Sequence, residues 1–155
     1  MTDYPAMIPY LSVSDAEAAI EFYRRAFGAT EKLRVPGQDR RIMHAEVRVG
    51  AALVMLTDSA PDLGFAAPGE GDRVPVGLMV RWPSPADVDR LHDQAVAAGG
   101  TSETAPRDEP WGARYAALRD PFGHRWWLFA MLQEKEEEEE EEEETSHLQT
   151  LGQGP

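Results

Sequence analysis

The sequence predicts an α+β fold in which a β-α-β-β-β pattern occurs twice. Three observations carry this. Two amphipathic helical stretches, SDAEAAIEFYRRAFG and SPADVDRLHDQAVAAG, each follow a short apolar strand. Each is followed by runs with the two-residue alternation of strands. The landmarks of the two halves also repeat at one offset: Gly28 and Gly99 stand 71 apart, as do His44 and Tyr115.

The first strand is expected in MIPYLSV, residues 7–13. Ser14 and Glu17 have capping-box spacing at the start of the helix, and Gly28 stands where a helix end takes a left-handed residue. Ala16, Ile20, Tyr23 and Phe27 form the helix's apolar stripe. TEKLRV, MHAEVRV and AALVML are the next strands, the last two joined at Gly50. A 17-residue loop, TDSAPDLGFAAPGEGDR, separates the halves and is long for a connection inside a compact domain. VPVGLMV restarts the pattern. Ser84, Pro85 and Asp87 open the second helix, Val88, Leu91, Ala95 and Ala98 line it, and Gly99 closes it. TSETAP, ARYAALR and HRWWLFA follow as strands. The expected organisation is a domain over residues 1–133, with modules at about 5–58 and 74–131, and an acidic disordered tail over 134–155.

That tail explains most of the charge. The chain has 155 residues and a net charge of −13. Glu134 and Glu136 to Glu144 supply ten acids and Lys135 one base. Without them, 18 acids and 14 bases remain in residues 1–133, a net of −4. A like-charge block repels itself and buries no core; its functional alternative is a lure for a basic partner. Neither part offers the basic patch that nucleic acid requires. The absence of cysteine excludes disulfides, zinc thiolates and cysteine nucleophiles, and agrees with a cytoplasmic location. No apolar run approaches the roughly 20 residues of a membrane span, and no secretory signal is visible.

Strand alternation selects the candidate site. In MHAEVRV, Ala45, Val47 and Val49 face one way and His44, Glu46 and Arg48 the other. In ARYAALR, Tyr115 shares a face with Ala117 and Arg119. Trp126 and Trp127 must face opposite sides, one into a core and one into something else.

DAEAAIEFYRRAFGA, HAEVRVGAALVML and LRDPFGHRWWL together resemble the vicinal oxygen chelate superfamily, the fold of glyoxalase I, extradiol dioxygenases and bleomycin resistance proteins, with the PhnB-like subgroup as its nearest form. The resemblance spans about residues 5–131. It implies that the two βαβββ modules form a curved mixed sheet around a cavity; members are usually dimers or fused equivalents, and a homodimer is expected here. In the metal-dependent enzymes of this superfamily, four positions on the first and last strands of each module carry His, Glu or Gln ligands. Carried over by pattern, these fall on Ile8, Met55, Pro75 or Val76, and Trp127. None supplies the imidazole nitrogen or carboxylate oxygen that a divalent ion takes.

The expectation is therefore metal-independent binding of a small aromatic or amphipathic ligand, as in bleomycin-type antibiotic resistance, with no cofactor. Tyr10, Met55, Trp111, Tyr115 and Trp127 are the expected wall, and Trp82 is a further aromatic candidate. The alternative is an enzyme of the lyase, isomerase or dioxygenase kind using His44 and Glu46. Their i, i+2 spacing puts them on one face, as a general base oriented by a carboxylate, a displaced metal site, or a polar pair lining the cavity. His92 is expected in solvent and His124 in a turn. Arg34, Arg48, Arg114 and Arg119 are expected at solvated strand ends or in local ion pairs, the alternative being to pair with a carboxylate- or phosphate-bearing ligand.

Overall fold

The computed structural model describes residues 4–132. The acidic segment and His147 lie outside them. The order is β1 (Tyr10–Val13), α1 (Ala16–Phe27), β2 (Thr30–Pro36), β3 (Ile42–Val49) and β4 (Ala52–Asp58), then β5 (Gly77–Arg81), α2 (Pro85–Ala97), β6 (Thr101–Glu109), β7 (Ala113–Arg119) and β8 (Arg125–Met131). The βαβββ pattern thus occurs twice, as expected. Each half forms a four-stranded mixed sheet, ordered β1-β4-β3-β2 and β5-β8-β7-β6. The first strand of each half runs parallel to the last, and the remaining pairs are antiparallel. A parallel pair needs a crossover, which the helix begins.

β1 is shorter than MIPYLSV because Pro9 has no N–H to donate; its carbonyl still accepts from Met55 N at 2.9 Å. The cap of α1 also differs from expectation. Asp15, with extended backbone, accepts from Ala18 N at 3.0 Å. Asp58 takes the Ala16 N–H at 2.8 Å. Two aspartates thus satisfy the first-turn donors, and the Glu17 side chain stays in solvent. Gly28 closes α1 at φ 65°, in the left-handed region that glycine adopts without strain. Ser84 caps α2 as expected; its N–H donates to Asp87 Oδ2 at 3.1 Å, the reciprocal half of a capping box.

One core joins both halves. Val13, Val47, Leu56, Val88, Leu91, Leu118 and Leu128 belong to it, together with Tyr23, Phe27 and Trp126. The Trp126 ring sits 5.1 Å from Tyr23 and 5.0 Å from Phe27 of α1. The second sheet therefore packs on the first half's helix. A buried tryptophan in such packing stabilises by about 3–5 kcal/mol relative to alanine.

The turn before β8 is built on one buried carboxylate. Asp120 Oδ1 accepts from Phe122 N and His124 N, both at 2.9 Å. Its Oδ2 accepts the Tyr23 hydroxyl at 2.6 Å and Trp126 Nε1 at 3.0 Å. His124 stands in that turn as expected, but it is buried, and its Nε2 lies 2.9 Å from the Ser12 carbonyl of β1. Asp120 and His124 thereby tie the last strand to the first half. His92 is also buried rather than solvated, with Nε2 2.7 Å from Ser102 Oγ; β6 closes over that side of α2. No helix among the described residues is long and apolar enough to cross a membrane.

Candidate functional site

The faces of the two sheets that turn away from the shared core carry the candidate residues. On the first sheet, Tyr10, Met55, Glu46 and Leu33 form one row across β1, β4, β3 and β2. On the second, Met79, Trp127, Ala117 and Thr104 form the corresponding row across β5, β8, β7 and β6. Tyr115 lies opposite Phe129 in the next row, on the same face as Trp127. Within one chain, the expected wall is therefore divided. Tyr10, Met55, His44 and Glu46 belong to the first sheet, and Trp111, Tyr115 and Trp127 to the second.

The second sheet's open face is aromatic. Trp127 is half-buried, and its indole lies against Gly77, where a Cβ would overlap the ring. Trp111, in the β6–β7 turn, is 53 % exposed and packs on Phe129 at 5.9 Å between ring centres. Met79 is 54 % exposed beside Trp127. The Arg125 guanidinium stands 5.7 Å from the Trp127 ring and pairs with Glu103 at 2.7 Å. Gly77, Met79 and Phe129 were not anticipated. An isolated glycine within VPVGLMV is the signal for close approach, and the alternation of HRWWLFA places Phe129 with Trp127. Trp82 belongs elsewhere: its ring packs over Gly50 at the β3–β4 turn.

The first sheet's open face holds a polar row within apolar surroundings. The Tyr10 hydroxyl is 2.8 Å from His44 Nδ1, and His44 Nε2 is 2.8 Å from Glu46 Oε2. Glu46 is 2 % exposed, and among the described residues its Oε1 has no hydrogen-bond partner; Lys32 Nζ lies 3.8 Å from it. Burial pushes the Glu46 carboxyl up, but the hydrogen bond from His44, the nearby Tyr4 side chain and the Lys32 charge outweigh it. The carboxyl is held below its ordinary range. Burial and then the Glu46 charge raise the Tyr10 hydroxyl. Phe65, from the long loop, stacks on Tyr10 at 5.8 Å. A short 3-10 turn, Pro61–Leu63, and a bridge between Ala60 and Phe65 shape this loop.

Of the arginines expected at strand ends or in ion pairs, Arg34 pairs with Glu31, Arg114 with Asp89 and Asp108, and Arg119 with Glu103. A cavity of about 280 Å³ lies away from both faces, between α1 and β2, among Glu17, Glu21, Arg24, Glu31 and Arg34.

The register refines the four ligand positions. Met55 shares a row with Tyr10 and Trp127 with Met79, so counting back two residues pairs Ile8 with Gly77 rather than with Pro75 or Val76. Ile8, Met55, Gly77 and Trp127 do not fit a divalent ion, because none carries a side-chain oxygen or imidazole. No group of three or more His, Cys, Asp or Glu suited to a metal occurs among the described residues.

These two βαβββ halves, with their outward sheet faces, define a class. The chain belongs to the Glyoxalase/Bleomycin resistance protein/Dioxygenase superfamily, whose family profile matches residues 6–128. It is 40 % identical over 133 residues to an uncharacterised protein of Mycobacterium tuberculosis, covering 84 % of this chain and 76 % of that one. Among solved structures it is similar to TioX from Micromonospora sp. ML1, with a TM-score of 0.64 and 26 % identity over 81 % of this chain and 95 % of that one. It also shares the fold of a PhnB protein from Bacillus cereus, with a TM-score of 0.63 and 17 % identity over 81 % and 99 % of the two chains.

Proposed function

We propose that this protein binds a small aromatic or amphipathic molecule without a metal ion, as a homodimer. In this reading the first sheet's open face in one copy opposes the second sheet's open face in its partner. One observation carries it: both sheets present apolar side chains on the face away from the core. Met79 and Trp111 are more than half exposed, and Tyr10, Leu33 and Phe65 are each about 40 % exposed. Apolar faces of this kind mark interaction sites. A second copy brings Tyr10 and Met55 opposite Trp127 and Tyr115, which reunites the divided wall. The donor chemistry at Ile8, Met55, Gly77 and Trp127 supports recognition by flat apolar contact instead of metal coordination. Sequestration, as in bleomycin-type resistance, needs only affinity and shape. A cytoplasmic location belongs to the same reading.

A thermal-shift screen of aromatic compounds in the presence of chelator tests it, because a ligand that binds only the folded state stabilises by about 2.7 kcal/mol at a hundred times its Kd. Stabilisation by an aromatic ligand is expected with the wild type and is expected to shrink with Trp127→Ala. Stabilisation that appears only when a divalent metal is restored contradicts the proposal.

A second reading, a lyase, isomerase or dioxygenase using His44 and Glu46, is favoured by the hydrogen-bonded row from Tyr10 through His44 to Glu46. Metal analysis of protein purified without chelator separates its metal-dependent form. A stoichiometric ion lost in His44→Ala supports that form.

A further inference from the structure

The row on the first sheet has a direction. Glu46, held below the ordinary carboxyl range, is ionised at neutral pH and acts only as an acceptor. The 2.8 Å contact to Glu46 therefore places a proton on His44 Nε2. In the neutral form of the imidazole, Nδ1 then carries a lone pair, and the Tyr10 hydroxyl 2.8 Å away is placed to donate to it. In that arrangement the Tyr10 proton is directed at His44, which leaves an oxygen lone pair on a residue that is 43 % exposed. The His44 side chain is 23 % exposed and that of Glu46 only 3 %, so Tyr10 is the member of the row that meets solvent most.

The buried end has an unfilled role. Among the described residues, Glu46 Oε1 has no hydrogen-bond partner, and Lys32 Nζ stands 3.8 Å from it. A buried carboxylate left short of partners is stabilised when positive charge forms beside it. Protonation of His44 is such an event. Met55 and Leu33 in the same row, and Phe65 on the Tyr10 ring, give the hydroxyl flat apolar surroundings.

We propose that Tyr10, His44 and Glu46 form a proton relay that takes one proton from a ligand with a weakly acidic hydroxyl on a conjugated framework, a phenol or an enol, and holds that ligand as its anion. The relay deepens the acid–base reading of this face by naming the group that meets the ligand and the chemical class it takes. The ligand O–H bond breaks and its proton joins Tyr10 Oη. The former Tyr10 proton passes to His44 Nδ1. The ligand keeps the electron pair as an oxyanion, Tyr10 ends neutral, and the imidazolium formed is paired with Glu46. No oxidant or co-reactant enters. Tyr10 is the residue in contact with the ligand; His44 and Glu46 act through it.

The test uses para-nitrophenol, whose phenolate absorbs visible light while the phenol does not. Full-length protein is mixed with the probe in a buffer below the probe's own pKa. Total binding is read by equilibrium dialysis and the ionised share of the bound probe by absorbance. The wild type is expected to hold the probe mainly as phenolate. Tyr10→Phe keeps the ring on Phe65 and removes only the hydroxyl, so the bound ionised-to-neutral ratio is expected to fall by about tenfold or more, one pKa unit's worth. His44→Gln is expected to do the same, and Glu46→Asp to restore part of what Glu46→Gln loses. Bound but un-ionised probe in the wild type, an unchanged ratio in Tyr10→Phe, or no binding to the wild type overturns the relay. Trp127→Ala separates the two proposals. If it binds the probe as well as the wild type and still ionises it, the relay stands and the aromatic wall fails.

Discussion

The indole of Trp127 lies across Gly77, so close that a Cβ on that glycine would overlap the ring. The two residues sit on the parallel strands β8 and β5, with Gly77 opposite Arg125 and Met79 opposite Trp127. A tryptophan held this way has little room to move, and the glycine is what lets it lie flat. Gly77→Ala is therefore expected to move the indole and weaken binding of an aromatic ligand by about tenfold, equivalent to about 1.4 kcal/mol. Ligand titration followed by tryptophan fluorescence checks this. An unchanged Kd would mean that the position of the indole does not matter.

Exposed apolar side chains on both sheets predict self-association. Sedimentation of the wild type is expected to give the mass of two chains. Met79→Asp places a charge on the face assigned to the interface and is expected to shift the equilibrium towards one chain. Trp111→Asp is a second, independent variant. A wild type that stays monomeric at every concentration contradicts the shared cavity.

The bond from Tyr23 to Asp120 predicts a stability loss at a distance from any ligand. Tyr23→Phe removes one of the four hydrogen bonds on the Asp120 carboxyl, and a buried bond to such a group contributes about 1.5–3 kcal/mol. Denaturant unfolding is expected to show that loss. The pH dependence follows in sign. Burial, then the Asp120 charge and its hydrogen bond, raise the Tyr23 hydroxyl well above its ordinary 10.0. The unfolded chain therefore releases that proton first, and stability present below about pH 10 declines as pH rises further. The alkaline slope is expected to flatten in Tyr23→Phe.

Glu46 acts with the opposite sign. Its carboxyl is held below its ordinary 4.5, with the hydrogen bond from His44 foremost among the groups that overcome burial. Its contribution is present above that ordinary value and is lost as pH falls through the folded value. Acid unfolding of Glu46→Gln is expected to lack this part of the slope, as judged by stability measured at a series of pH values.

The repeated βαβββ pattern was legible because helix stripes and strand alternation are local. Ala16, Ile20, Tyr23 and Phe27 are all buried as their spacing predicts. The α1 cap was not legible, since Ser14 and Asp15 are both good caps and Asp58, 42 residues beyond Ala16, completes the choice. Alternation also placed Tyr115 and Trp127 on one face, and His44 with Glu46. It did not reveal that these pairs lie on different sheets, because pairing between strands is a long-range property. The burial of His92 and His124 escaped for the same reason: their partners, Ser102 and Ser12, lie on other strands. Tyr10 was read only as an aromatic wall. Its bond to His44, 34 residues away, is a long-range contact that no local pattern shows.

The most direct measurement is calorimetric titration of the strongest aromatic ligand from the thermal-shift screen into wild type and Trp127→Ala, both in excess chelator. Burying an aromatic side chain against a ligand contributes about 1.5–3 kcal/mol, so the mutant is expected to bind about ten- to hundredfold more weakly while unfolding at a similar temperature. Equal affinity in the two proteins, or wild-type binding that returns only with a divalent ion, would contradict recognition by the aromatic face.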